Sequence, residues 1–241
     1  MKKTKILLAS LVASIMLVGA GFASWTDALN INNTVSTGNM KVNFDENYCK
    51  VINDNPLISV EMNFEGDVEQ GENLAREISI ETMNMYPGSE YKVRTRVVNT
   101  GTIPVKFDNA KVKFVYPDEQ EFRSKSVALK KALVIPYLRA VVYDLDENGN
   151  KIQVYRSINI GQDIPLNELA DSINTAMTGV ELEEGQIVEF GEDIEDIEAG
   201  DFNKFVYRVE FPVGEIGQYQ KAQNAELGFD ITLNWKQFNA Q

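Results

Sequence analysis

Apolar residues recur at every second position through much of this chain, the spacing that puts one face of a strand in a core and the other in water. Tyr91, Val93, Thr95 and Val97 alternate with Lys92, Arg94 and Arg96, a stripe read as a solvated basic face. Phe205, Tyr207, Val209 and Phe211 alternate with Val206, Arg208 and Glu210, and Phe229, Ile231, Leu233 and Trp235 with Asp230, Thr232, Asn234 and Lys236. Val112, Phe114 and Tyr116 share a face opposite Lys111 and Lys113, and shorter strand-forming runs lie at 57–64, 78–83 and 187–190. Pro87-Gly88 and Asn99-Thr100-Gly101 read as turns, and Asn148-Gly149, between Val141–Tyr143 and Ile152–Tyr155, as a hairpin tip. One segment keeps helical spacing instead. Leu166, Leu169, Ala170, Ile173, Ala176 and Met177 share a face, with Asp163 as the cap, Pro165 in the first turn and Gly179 at the end. Residues 118–131 are polar and charged, a loop or a short surface helix. Eight or more half-buried strands joined by turns predict an all-β, antiparallel β-sandwich with one or two short helices.

The first 44 residues follow a different pattern. Lys2, Lys3 and Lys5 precede a run from Ile6 to Phe22 that is apolar apart from small residues and Ser10 and Ser14. Gly21 and Ala23 then stand at the −3 and −1 places of a cleavage site before Ser24. That is the order of a secretory signal, residues 1–23, cut between Ala23 and Ser24. A permanent membrane anchor is the competing reading, since the run is at the short limit for a span. The new N-terminus is itself a strand pattern: Trp25, Leu29, Ile31 and Val35 fall on one face, with Asp27 and Asn33 at the same parity. After Thr37-Gly38 the apolar parity switches to Met40, Val42 and Phe44, so residues 24–37 form a strand set off from a domain over 38–241 by a bend at Gly38.

Three groups of residues resemble one known family. Trp25-Thr26-Asp27 followed by Thr34-Val35-Ser36-Thr37-Gly38-Asn39-Met40-Lys41-Val42 looks like the start of TasA and camelysin-type proteins. Tyr86-Pro87-Gly88-Ser89-Glu90, a strand, and then Asn99-Thr100-Gly101-Thr102-Ile103-Pro104-Val105 are similar to a second signature of that family, and Trp235-Lys236-Gln237-Phe238-Asn239 to its closing strand. Residues 118–200 carry no match. The resemblance implies a secreted biofilm-matrix or cell-surface protein of Gram-positive bacteria, released by a dedicated signal peptidase, with a jelly-roll sandwich. It also implies a homopolymer in which Trp25, Asp27, Leu29, Ile31 and Val35 form a donor strand inserted into the next subunit, with Gly38 as hinge. An accessory fibre protein is a further partner under this reading. The residues alone do not separate a swapped strand from one that fills its own domain. Two alternatives stay open: a monomeric or membrane-anchored adhesion or binding module, and an accessory subunit anchoring fibres of a paralogue.

Charge and composition narrow the chemistry. All 36 acidic residues follow Ala23, while three of the 23 basic ones precede it, so the cleaved chain carries 20 − 36 = −16. Such a chain is repelled by nucleic acid and by anionic lipid, so neither is an expected partner after cleavage. There is no histidine, which removes the usual zinc ligands and the base of a serine triad. An enzyme is therefore not expected, and neither is a cofactor. Asp144 to Asn150 opens like a calcium loop, but its twelfth position is Tyr155 where a glutamate is needed, and its flanks read as strands. The carboxylate-rich stretch 181–201 is read as a solvated loop, with weak divalent-cation binding as the alternative. Cys49 is the single cysteine, either an intermolecular bridge or a buried, inert thiol.

Overall fold

The alternating segments pair into two antiparallel sheets. The computed structural model describes residues 38–65, 74–191, 206–214, 222 and 225–238. The chain divides between Thr37 and Gly38, and the predicted donor strand lies outside the described residues. In order, the elements are β1 (Val42–Asp45), β2 (Lys50–Ile52), β3 (Ser59–Glu65), β4 (Leu74–Ala75), β5 (Glu77–Met83), β6 (Glu90–Asn99) and β7 (Val105–Val115). Then come α1 (Gln120–Ala132), β8 (Val134–Leu145), β9 (Lys151–Pro165), a 3-10 turn (Leu166–Glu168) and α2 (Leu169–Met177). Four strands close the series: β10 (Glu181–Leu182), β11 (Ile187–Gly191), β12 (Tyr207–Glu210) and β13 (Glu226–Gln237).

The first sheet is built around β6. On one side β6 pairs with β1 and β2, on the other with β11 and β12, and β8 and then β9 follow beyond β11 and β12. The second sheet runs β10-β7-β13-β5-β3. Tyr91, Val93 and Val97 of β6 face Ile78 and Ile80 of β5 and Phe229 and Ile231 of β13 in one apolar core. Each fully buried side chain of this kind contributes roughly 1.5–3 kcal/mol. The sandwich architecture expected from the alternation is therefore present, with two short helices. α2 packs on β9 and β7, closing the flank between the two sheets, and its Leu169, Ile173 and Met177 are buried there.

Two expectations need correction. The helical segment opens with the 3-10 turn at Leu166 and becomes α2 at Leu169, and does not start near Asp163. Ile164 is buried and paired with Ile135 as a strand residue, and the following Pro165 disfavours helical backbone at the position before it. Asp163, with φ 48°, sits in β9 rather than capping anything. The Lys92–Arg94–Arg96 stripe is also not uniformly solvated, because Arg96 is only 3% exposed.

The Asn-Gly segment turns β8 into β9, with Gly149 at φ 79°. β9 spends 15 residues against the 12 of β8, so three residues are extra: Ile152, Tyr155 and Ile160, at the three register shifts. At the tip, the Asp146 carboxylate accepts from the backbone N–H of Asn148 and Asn150 and from the Asn150 side chain. Those bonds, the Asn150 side chain first, hold its carboxyl below the usual range.

Cys49 is buried, and its sulfur lies 3.3 Å from the Arg96 nitrogen and 3.5 Å from the Arg96 carbonyl oxygen. Burial pushes the thiol up to about 12, so the thiolate is scarce at neutral pH. A thiol reagent such as dithionitrobenzoate should therefore leave the folded protein unlabelled at pH 8 and label one thiol in denaturant. Stoichiometric labelling of the native protein would show that Cys49 is accessible.

Candidate functional site

The most concentrated charge chemistry sits on the outer face of the first sheet. Antiparallel register places Glu189 of β11 opposite Arg96 of β6. Arg96 Nε and Nη2 both reach Glu189 Oε1, at 2.7 and 2.6 Å, and Lys151 Nζ reaches Oε2 at 2.5 Å. Tyr48 lays its ring on the Arg96 guanidinium, and Asp45 stands 3.8 Å from Nη1. Burial pushes Lys151 down against the pull of Glu189, and burial pushes Asp45 up against the pull of Arg96. Both Glu189 oxygens are thus engaged by cations and the neighbouring thiol is protonated, so the cluster presents no base beside a nucleophile. Its work is to tie β6, β11 and the start of β9 together. Among the described residues, no group of three or more acidic, cysteine or histidine side chains could hold a metal ion.

Replacing Glu189 with Gln strands two buried cations and should cost on the order of 3–5 kcal/mol in urea unfolding at pH 7. The folded value of Lys151 lies below its unfolded one, so the unfolded chain holds more protons in the window just below the ordinary lysine range. Raising the pH through that window favours the fold, and favours it more in the variant, where loss of the Glu189 charge that pulls Lys151 up leaves the ammonium further depressed. The deficit of Glu189→Gln should therefore shrink between pH 7 and pH 10, and a constant deficit would exclude Lys151 as its cause.

The second constellation lies where the chain enters the sandwich. Thr102 N–H donates to the Asn39 carbonyl at 2.8 Å, and Asn39 N–H donates to Thr102 Oγ1 at 2.9 Å. Thr100 and Gly101 N–H both donate to the Lys41 carbonyl. The fully buried Asn99 side chain shares its amide among the carbonyls of Ile103, Leu182 and Glu183 at 3.0, 3.1 and 3.2 Å, and its oxygen accepts from Gly101 N–H. At the same place Phe238 N–H donates to the Pro104 carbonyl, and Trp235 meets Phe107 edge-on. Three stretches that are far apart in sequence, 38–41, 99–104 and 235–238, thus converge on one end of the sandwich. The Tyr86–Ser89 turn marks the opposite end, where Gly88 N–H donates to the Phe211 carbonyl.

Gly38 and Gly101 are both required by close approach. A side chain at Gly38 would run into Ile103, and one at Gly101 into the Asn39 oxygen and the Lys41 nitrogen. Of the residues assigned to the cleavage site, the donor strand and the hinge, only Gly38 is described, and it is pinned against the 99–103 turn. Ala23, Ser24, Trp25, Asp27, Leu29, Ile31 and Val35 lie outside the described residues. The sequence reading missed the Arg96–Glu189–Lys151 cluster. Its signal was there: Glu189 is a single charge inside the otherwise apolar Ile187–Gly191.

Exposure of large apolar side chains follows the same axis. Met40, Ile152, Val154, Tyr155 and Phe238 are exposed at or beside the entry end. Leu57, Val115, Phe122, Val127 and Val213 are exposed toward the opposite end, where a cleft of about 190 Å³ is lined by Ile52, Asp54, Asn55, Gly88, Glu90, Tyr91 and Lys92. Compared with known proteins, the chain matches no family model and no curated protein. Among the described residues no helix is long and apolar enough to cross a membrane.

Gly101→Ala should push the 39–41 segment off the turn. Amide exchange at Asn39, Thr100 and Thr102 should accelerate by at least tenfold while Val93 and Val188, in the middle of the sheet, keep their protection. Unchanged exchange at those three amides would mean that the segment does not depend on this contact.

Proposed function

We propose that the chain is an exported structural subunit of an extracellular biofilm-matrix fibre, without catalytic activity, joined head to tail by the strand ahead of Gly38. The observation that carries this reading is the placement of exposed apolar side chains toward two opposite ends of the sandwich, with the N-terminal segment leaving from one of them. A contact between two different ends does not close on itself and propagates as a filament. The resemblance of residues 25–42, 86–105 and 235–239 to TasA and camelysin-type proteins supports the same reading.

Strand addition needs an unpaired edge beside apolar surface. Among the described residues β3 pairs with β5 alone, and its Val60, Met62 and Phe64 are half-buried against the core. It is an edge of the required kind. Trp25, Leu29, Ile31 and Val35 on one face of the incoming strand would supply the apolar complement. The signal peptide would keep the strand tethered until cleavage before Ser24, so assembly follows export.

Purified mature protein, residues 24–241, should form filaments visible by electron microscopy. Leu29→Asp with Ile31→Asp places charge on the inserted face and should leave a folded monomer. Filaments of normal length from that double variant would overturn the donor-strand reading.

A further inference from the structure

We infer that consecutive subunits also meet through side chains, the bulged start of β9 on one copy seating in the cleft at the opposite end of the next copy. This rests on the fibre reading and adds a contact that the N-terminal strand does not supply.

The tether makes such a contact unavoidable. From Val35, the last apolar residue of the donor strand, to the anchored Asn39 is four residues, roughly 13 Å at ~3.3 Å per residue. A subunit that holds the strand cannot stand clear of the end from which the strand leaves. Its surface must press on what that end presents.

What projects beside that end is the β8–β9 hairpin. Leu145 and Tyr143 of β8 pair with Lys151 and Val154, and Tyr143 is level with Ile187 and Val98, next to the Asn99 turn. Ile152, Val154 and Tyr155 are 63, 49 and 60% exposed, three large apolar side chains within four residues. Isolated exposed apolar residues are ordinary, but a contiguous group is a mark of an interface. Ile152 and Tyr155 are extra residues at register shifts, and a bulge re-aims the side chain it carries. Arg156, also exposed, follows directly.

The opposite end offers the matching chemistry. Its cleft is lined by Asp54, Glu90 and Lys92; Arg208 stands 3.8 Å from Glu90, and the exposed Asp54 carboxylate at the rim suits Arg156. Ile52 in the wall, with exposed Leu57 and Val213 beside it, suits the apolar group. A tyrosine places a hydroxyl where such a mixed lining can bond it, and tyrosine and arginine are the side chains most enriched at protein interfaces. The occupant is a second copy of this chain, in the heterologous arrangement that the donor strand already requires.

The test is a cysteine pair in the mature chain, Tyr155→Cys with Asp54→Cys, both at exposed positions, with the inert Cys49 left in place. Mild oxidation of the assembled protein should give a ladder of covalent multimers on a non-reducing gel, and each single variant should give none beyond dimer. Filaments without a ladder would overturn the side-chain contact and leave the fibre reading standing. A ladder without filaments would support the contact and overturn the donor strand as the connector. Neither filaments nor ladder would overturn both. As an independent arm, Arg156→Glu should slow assembly by at least fivefold at low salt, and Asp54→Lys added to it should restore at least half of the loss. Wild-type assembly by Arg156→Glu, or failure of the second change to restore it, would overturn the proposed pairing.

Discussion

The side-chain amide of Asn99 is the contact on which one end of the sandwich depends. It sits at the last position of β6, the strand that the first sheet is built around, and has no access to water. A buried amide left unpaired costs roughly 1–3 kcal/mol, so its neighbours must come to it. The carbonyls of Ile103, Leu182 and Glu183 do so, and the turn they create holds out Thr100, Gly101 and Thr102 N–H to the Asn39–Lys41 segment that leads into β1. One side chain thereby fixes the β6–β7 turn, the approach to β11 and the point at which the N-terminal segment departs. The Arg96–Glu189–Lys151 cluster serves the same strand on its outer face.

Much of the architecture was legible because alternation is a direct image of burial. β6, β12 and β13 show their inner faces as Tyr91, Val93 and Val97, as Tyr207 and Val209, and as Phe229 and Ile231, and those residues form the core. The hairpin at Asn148-Gly149 was legible for a local reason, since few sequences turn two strands so tightly. The start of α2 was not, because Asp163 and Pro165 make a good helix opening only where the preceding residue is free to leave a strand. Ile164 is held in β9 by its pairing with Ile135, a constraint that lies some thirty positions upstream.

The charge cluster was hidden for a related reason. Arg94 and Arg96 look alike in sequence, two positions apart on one face. Only the register of β11 sets a carboxylate opposite the second, and only the curl of the hairpin returns Lys151 to it. Non-local pairing decides which member of a polar stripe is wet. The same holds for the entry end: Gly38, Gly101 and Phe238 each carry a motif that is short and weak alone, and their meaning comes from being brought to one place.

The extra residues of β9 bear on the sideways behaviour of the molecule. A straight edge strand is a template for any passing chain, and a crowded population of sandwiches with two such edges would knit into sheets. β3 is regular, pairing with β5 residue for residue from Ser59 to Glu65. β9, at the far margin of the other sheet, breaks its ladder three times in fifteen residues, so its hydrogen-bonding groups are divided into short runs. β3 and β9 are therefore unequal margins, one regular and one interrupted, and sideways growth of a sheet along β9 is disfavoured.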